Sequence, residues 1–266
     1  MKQDRLSACL QAAVAAATAP SATILSYFRG AHLTVDAKGD GSPVTEADKA
    51  AETEIRRALA AAPESAGFDI DGEEFGASGR GDRYCWLIDP IDGTKSFANG
   101  LPTFGTLLAL IDRETDEPMI GVIHMPALAE TYAAARGLGA TCNGLPIRAS
   151  ECSDLATAII SASDAGQFAE TGIEAAYRTL RDRAPYMRGY GDCFAHAMAA
   201  RGAVDASFET WLNAWDIKAA QAIVTEARGR FVLRESKRQP TDGHIAYDAL
   251  FGSPALVVEI ADIVGF

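Results

Sequence analysis

The run Tyr84-Cys85-Trp86-Leu87-Ile88-Asp89-Pro90-Ile91-Asp92-Gly93-Thr94 decides how the chain folds. Its first five residues are an unbroken apolar stretch of strand length, the pattern of a strand covered on both faces rather than of an edge with one wet side. That strand ends on Asp89, and a second acid follows three residues later at Asp92. A bare Asp-Pro pair is most simply a turn former. Asp92-Gly93-Thr94 points further, because Gly93 lets the backbone approach a ligand closely. The consecutive amides of Gly93 and Thr94 can donate to phosphate oxygens where a helix begins there. Hard carboxylate oxygens beside exposed amides suit magnesium together with phosphate.

Upstream, residues 38–43 form a polar loop carrying Lys38, and Thr45-Glu46-Ala47-Asp48 reads as an N-cap with an acid three residues on, opening a helix over 49–61 that Pro63 ends. Nearer the N-terminus, Leu6, Leu10, Ala13, Val14 and Ala17 recur at helical spacing, and Pro20 bends or restarts that helix. Downstream, 104–111 and 119–124 read as strands joined by a polar turn, with short strands near Tyr132 and Ile147. The texture changes after Ser150: a strand over 158–162 precedes helices over 173–181, 194–201 and 217–227. The expected class is α+β with two tightly packed parts, an N-terminal part over 1–150 and a C-terminal part over 151–266. There is no internal repeat or low-complexity linker.

Composition narrows the partners. Of 266 residues 48% are apolar, enough for a full core, and 36 acidic against 24 basic residues give a net charge of -12. That balance argues against nucleic acid or an anionic membrane surface and favours a small or cationic partner. The five cysteines, Cys9, Cys85, Cys142, Cys152 and Cys193, are scattered and form no C-x-x-C pair, which fits a reducing cytoplasm. The Ala-rich N-terminus resembles a signal core, but Asp4 and Gln11 interrupt it. No apolar run reaches the roughly 18 residues of a membrane span, so a soluble cytoplasmic protein is expected.

Two more acidic places complete the pattern. Asp71-Gly72-Glu73-Glu74 reads by itself as a solvated turn, and Asp216, after Trp215, as the N-cap of the next helix. Taken together with the central run, these pieces resemble the inositol monophosphatase family of metal-dependent, lithium-sensitive phosphatases. Its two signatures are similar to W-L-I-D-P-I-D-G-T-K-S-F at 86–97 and W-D-I-K-A-A-Q-A-I-V-T-E-A-R-G at 215–229, joined by Gly72-Glu73-Glu74 and by the segment 43–48. Arg228 departs from the family pattern, standing where glycine is usual at a helix end.

The resemblance implies a layered α-β-α-β-α fold and a homodimer. It also implies a first magnesium ion on Glu73, Asp89 and the Ile91 carbonyl, a second on Asp89, Asp92 and Asp216, and a weaker third near Glu73. Catalysis would fall to Thr94, Asp48 and Glu73, with the Thr94 hydroxyl hydrogen-bonded to Asp48 and orienting the attacking water. The Gly93 and Thr94 amides would hold phosphate oxygens, Glu74 would support Glu73, and Lys38 would lie on a closing loop. Substrate choice would rest on the segment 188–194 and on Glu209, seven residues before Asp216 and similar to the acid that contacts the leaving alcohol.

Asp192, in the run Gly191-Asp192-Cys193-Phe194, resembles the bacterial histidinol-phosphate phosphatases of the family, and two acids suit a cationic amino alcohol. A helix cap is the alternative for Asp192, and His196 reads as packed or surface-facing. The expected substrate is therefore histidinol phosphate, in histidine biosynthesis. The alternatives are an inositol-1-phosphate or broad sugar-phosphate phosphatase, a non-catalytic regulatory protein that keeps the fold, and a structural calcium-binding domain.

Overall fold

The computed structural model describes residues 1–30, 35–37, 43–162, 165–237, 239–240 and 244–266. Helices α1 (Gln3–Thr18) and α2 (Ser21–Tyr27) are separated at Ala19 and Pro20, as Pro20 predicts. Strands β1 (Val35–Ala37) and β2 (Pro43–Thr45) pair antiparallel and lead into α3 (Glu46–Ala61). Eight strands then build one sheet: β3 (Asp69–Gly72), β4 (Gly76–Ser78), β5 (Tyr84–Asp92), β6 (Gly105–Asp112), β7 (Glu117–Met125), β8 (Glu130–Ala135), β9 (Gly139–Cys142) and β10 (Leu145–Pro146). Their order is β10-β9-β8-β7-β6-β5-β3-β4, and the short helix α4 (Thr94–Ala98) follows β5.

A second sheet has the order β12-β11-β13-β15-β14, from β11 (Ile159–Ala162), β12 (Tyr186–Arg188), β13 (Ala206–Leu212), β14 (Arg230–Glu235) and β15 (Tyr247–Gly252). Its helices are α5 (Ala165–Glu170), α6 (Glu174–Arg183), α7 (Asp192–Ala200), α8 (Ala214–Glu226) and α9 (Pro254–Val264).

The cores stack these parts in five layers. Trp86 and Ile88 of β5, with Leu108, Leu110, Ile120 and Val122, meet Leu6, Cys9, Ala13, Ile55 and Leu59 of α1 and α3. The alternate residues Cys85 and Leu87, with Leu107, Ala109 and Ile123, face α7 and α8, which also touch Ala249 and Phe251 of the second sheet. The far side of that sheet, Ile160, Phe208 and Leu250, is covered by α6 and α9 through Leu180, Leu256, Val257 and Ile260. The apolar run of β5 is thus explained: both of its faces carry helices.

Helix α8 lies close on the first sheet because Gly121 makes room. A Cβ there would sit 2.3 Å from the Ala219 carbonyl oxygen. Read as one rod, residues 3–27 are long and apolar enough to cross a bilayer by length and composition. In the fold, Leu6, Cys9, Ala13, Ala16 and Ala17 of that rod pack on the first sheet instead.

Candidate active site

The site starts where β5 stops being regular. Asp89 pairs with Leu107 and Asp92 with Gly105, so one extra residue is accommodated on β5 between them. In an unbroken strand residues three apart face opposite ways; this bulge brings both carboxylates to one side. Pro90, lacking an N–H, suits the interruption, and its carbonyl accepts the Thr106 hydroxyl at 2.8 Å. Ile91 turns into an apolar cluster with Ala47, Phe97 and Phe104. Gly93 then takes φ +78° and caps α4. A side chain there would be strained and would also press on the Asp192 carboxylate, 3.2 Å from the Cβ position.

Glu73 arrives through the parallel pairing of β3 with β5. Gly72 is in register with Ile88, and the Glu73 amide donates to the Ile88 carbonyl at 3.0 Å, so Glu73, just past the end of β3, stands beside Asp89 of β5. After burial, the like charge of Glu73 is the largest influence on the Asp89 carboxyl. Asp216 comes from the first turn of α8, where it accepts the Asn213 amide at 2.7 Å. The cap of that helix is therefore Asn213, and Asp216 is the acid of a capping box rather than the N-cap expected from sequence.

Burial and like charge dominate the electrostatics. Burial, then Glu73, Asp92 and Asp216, push the Asp89 carboxyl well above the usual range. Burial, then Asp192 and Asp216, do the same to Asp92, whose carboxylate is partly relieved by the Cys193 amide at the start of α7. Asp216 rises to about 7 by burial and by Glu73. Asp89 Oδ1 is buried with no hydrogen-bond partner among the described residues. These acids share one field without forming a ready cage: among the described residues no three His, Cys, Asp or Glu side chains are grouped to hold an ion as they stand. The donor set itself, hard oxygens with a buried unpartnered one at its centre, fits a magnesium-class cation.

The expected bond between Thr94 and Asp48 is not formed. The Thr94 hydroxyl donates to the Ile91 carbonyl at 3.0 Å. Asp48 instead accepts the amide and hydroxyl of Thr45, at 2.7 and 2.5 Å, because it is the acid of the α3 capping box. Burial, with smaller contributions from Glu74 and Glu73, lifts Asp48 to about 6, so it faces the Glu73 side of the site.

Asp192 is the first residue of α7, with φ +57°, and Gly191 is the cap residue, so the alternative of Asp192 as a cap is overturned. Burial and Glu209 raise its carboxyl to about 6, while His196 and Lys95 pull it down. Glu209, on β13, accepts Ser207 Oγ at 3.1 Å and lies 3.2 Å from His196 Nε2. His196 is packed rather than surface-facing, fully buried against Phe251. Lys38 lies outside the described residues.

Sequence reading missed Glu52. Fully buried on α3, it accepts the Glu74 amide at 2.8 Å and pairs with Arg56 at 2.7 Å, and Arg56 reaches the Gly76 carbonyl at 2.6 Å. It grips the turn that carries Glu73. A Cβ at Gly72 would fall 2.1 Å from its carboxylate, so any side chain there displaces the Glu52 carboxylate from the Glu74 amide and Arg56. The available signal was its spacing, four residues after Asp48 and hence on the same helix face.

Comparison with known proteins places the fold and the family. The family model described as "Inositol monophosphatase family" matches residues 5–256. A histidinol-phosphatase of Chlorobaculum parvum is 37% identical over 221 residues, 83% of each chain. A fructose-1,6-bisphosphatase/inositol-1-monophosphatase of Thermotoga maritima is 40% identical over 192 residues, 70% of this chain and 69% of that one. Among solved structures, the extragenic suppressor protein SuhB from Bartonella henselae superposes with a TM-score of 0.84 at 25% identity, covering 97% of this chain and 98% of that one. The family model over nearly the whole chain and relatives at 37–40% identity show that the chain belongs to the inositol monophosphatase family and is a phosphatase.

Proposed function

We propose that this phosphatase is magnesium-dependent and hydrolyses histidinol phosphate. The observation that carries the reading is the adjacency of two acidic groups across Gly93: Glu73, Asp89, Asp92 and Asp216 on one side, Asp192 and Glu209 on the other. The first group would hold the metal, two ions and a weaker third, with the Ile91 carbonyl as a further ligand. Bound there, magnesium would supply the positive charge that a chain of net charge -12 lacks near a phosphate, and would acidify a water.

The chain's own groups then divide the work. The Thr94 hydroxyl donates its hydrogen bond to the Ile91 carbonyl, which leaves its oxygen to accept a hydrogen bond from the attacking water and aim it. Glu73 takes up that water's proton as the new bond to phosphorus forms and the ester P–O bond breaks in line, and the departing alkoxide takes a proton from solvent water to leave as the alcohol. The Gly93 and Thr94 amides donate to the phosphate oxygens as charge spreads over them. Asp192 and Glu209 pair with the cationic part of the leaving alcohol.

Relatives named histidinol-phosphatases support this substrate, and the relative named for both fructose bisphosphate and inositol phosphate supports the broader alternative. The discriminating assay is phosphate release from histidinol phosphate, inositol 1-phosphate and fructose 1,6-bisphosphate, with magnesium and with a chelator. A kcat/KM at least about tenfold higher for histidinol phosphate is expected, with Asp192→Ala erasing most of the preference. Equal rates on all three esters would reject the substrate, and full activity in chelator would reject the metal.

A further inference from the structure

The acids Asp192 and Glu209, beside the proposed phosphate site, have a buried histidine between them that the mechanism above does not use. His196 lies four residues after Asp192 on α7, so both project from one helix face toward β13. There, Glu209 has two neighbours on the same oxygen: Ser207 Oγ donates to Oε1 at 3.1 Å, and His196 Nε2 lies 3.2 Å from Oε1. Neither contact uses Oε2. The imidazole is fully buried, and Glu209 is 2% exposed, so neither side chain has bulk water to settle its orientation.

Two observations argue that this is more than packing. The His196 ring meets Phe251 edge to face at 5.5 Å, yet Nδ1 finds no partner and Nε2 sits at ion-pair distance from Glu209 without a well-aligned hydrogen bond. A histidine kept only to fill space would leave two polar nitrogens in the core at a cost that an apolar residue avoids. A second acid, Asp192, also presses on Glu209. Burial disfavours charge on the imidazole, but Glu209 and Asp192 outweigh it and hold the ring's proton more tightly than usual.

We propose that His196 is a positioning residue for substrate selection: with Ser207 it fixes Oε1 of Glu209 and thereby presents Oε2 to the leaving alcohol. The proposal rests on the reading of Glu209 as the alcohol-contacting acid. The imidazole also offsets one of two neighbouring carboxylates, so the pocket attracts a cation without the two acids driving each other apart.

The test is steady-state kinetics of the full chain in magnesium on histidinol phosphate and on inositol 1-phosphate. The proteins are wild type, His196→Ala, His196→Gln, Ser207→Ala, Glu209→Ala and the double variant His196→Ala/Glu209→Ala. Expected for the preferred ester is a KM raised about tenfold by His196→Ala, more than kcat falls, and about threefold by Ser207→Ala. His196→Gln, whose amide can donate to the same oxygen, recovers at least half of that loss on a logarithmic scale. The double variant is no worse than Glu209→Ala alone.

Losses that multiply in the double variant overturn the proposal, as does a KM unmoved by Ser207→Ala. So do equal falls on both esters with no rescue by glutamine, the signature of a merely structural histidine. If His196→Ala does not fold, His196→Gln and Ser207→Ala decide by the same criteria. A wild type indifferent between the esters rejects histidinol phosphate as substrate, while the cycle still reads the coupling of His196 to Glu209 on either ester.

Discussion

Asp89 does not end its strand as the sequence suggests: β5 runs on through a bulge to Asp92, both faces of the strand are covered, and Asp89 Oδ1 is buried without a partner among the described residues. Replacing it by asparagine removes an anion that burial and three acids oppose. Phosphate release in Asp89→Asn should fall by roughly a thousandfold, whereas the melting temperature in chelator should rise by a few degrees, the opposite of what an ordinary core substitution does. Asp48 gives the pH dependence. Its carboxyl stands at about 6 in the fold against about 3.9 in an unfolded chain, so the fold binds the proton more tightly. A raised pKa contributes stability that is complete below about pH 4 and is lost as pH climbs through about 6, on the order of 2–3 kcal/mol. Melting curves in chelator from pH 4 to 7 should show this loss together with those of Asp192 and Asp216, and Asp48→Asn should remove its share and make the slope shallower; an unchanged slope in that variant would refute the assignment. Asp89, Asp92 and Gly93 were legible because a buried run ending in acids cannot hide them. The Thr94 to Asp48 bond was not, because Thr45, adjacent in the chain, competes for the same carboxylate at lower entropic cost.

Helix α3 carries two parts of the site on one face, Asp48 at its first turn and Glu52 one turn later, with the Arg56 guanidinium closing the clamp on the turn after β3. Gly72→Ala forces a methyl group onto the Glu52 carboxylate and should destabilise the protein by about 1–3 kcal/mol while moving Glu73 away from Asp89. Urea titration and phosphate release should both report the change; a stable variant that loses no activity would contradict the clamp. At the far end of α8, Arg228 adopts φ +67°, a left-handed conformation that glycine takes without strain. Arg228→Gly should therefore gain about 1 kcal/mol, read as a higher urea midpoint at unchanged activity. That position was visible in sequence as a departure from the family signature. Glu52 was not, because a charged residue inside an amphipathic helix reads as surface until the tertiary contacts of the Glu74 amide bury it.

The five layers position the site by convergence. Parallel β3 and β5 set Glu73, just past the end of β3, beside Asp89 of β5, and α8, admitted close to the first sheet by Gly121, brings Asp216 from a segment more than a hundred residues later. Most of the secondary elements were legible from apolar periodicity: alternation fails only where, as in β5, both faces are covered, and length then marks the strand. The exact meeting of the acids was not, since sequence order says nothing about a bulge that turns Asp89 and Asp92 to the same side. Because several acids share one field, the proposed magnesium should stabilise the whole molecule: at about a hundred times its dissociation constant it should add about 2.7 kcal/mol, or roughly 5–10 °C in melting temperature. The most direct measurement of the central claim is calorimetric titration of magnesium into the wild type and into Asp89→Asn. Saturable binding is expected in the wild type and none in Asp89→Asn; equal affinity in both proteins would mean that Asp89 holds no cation.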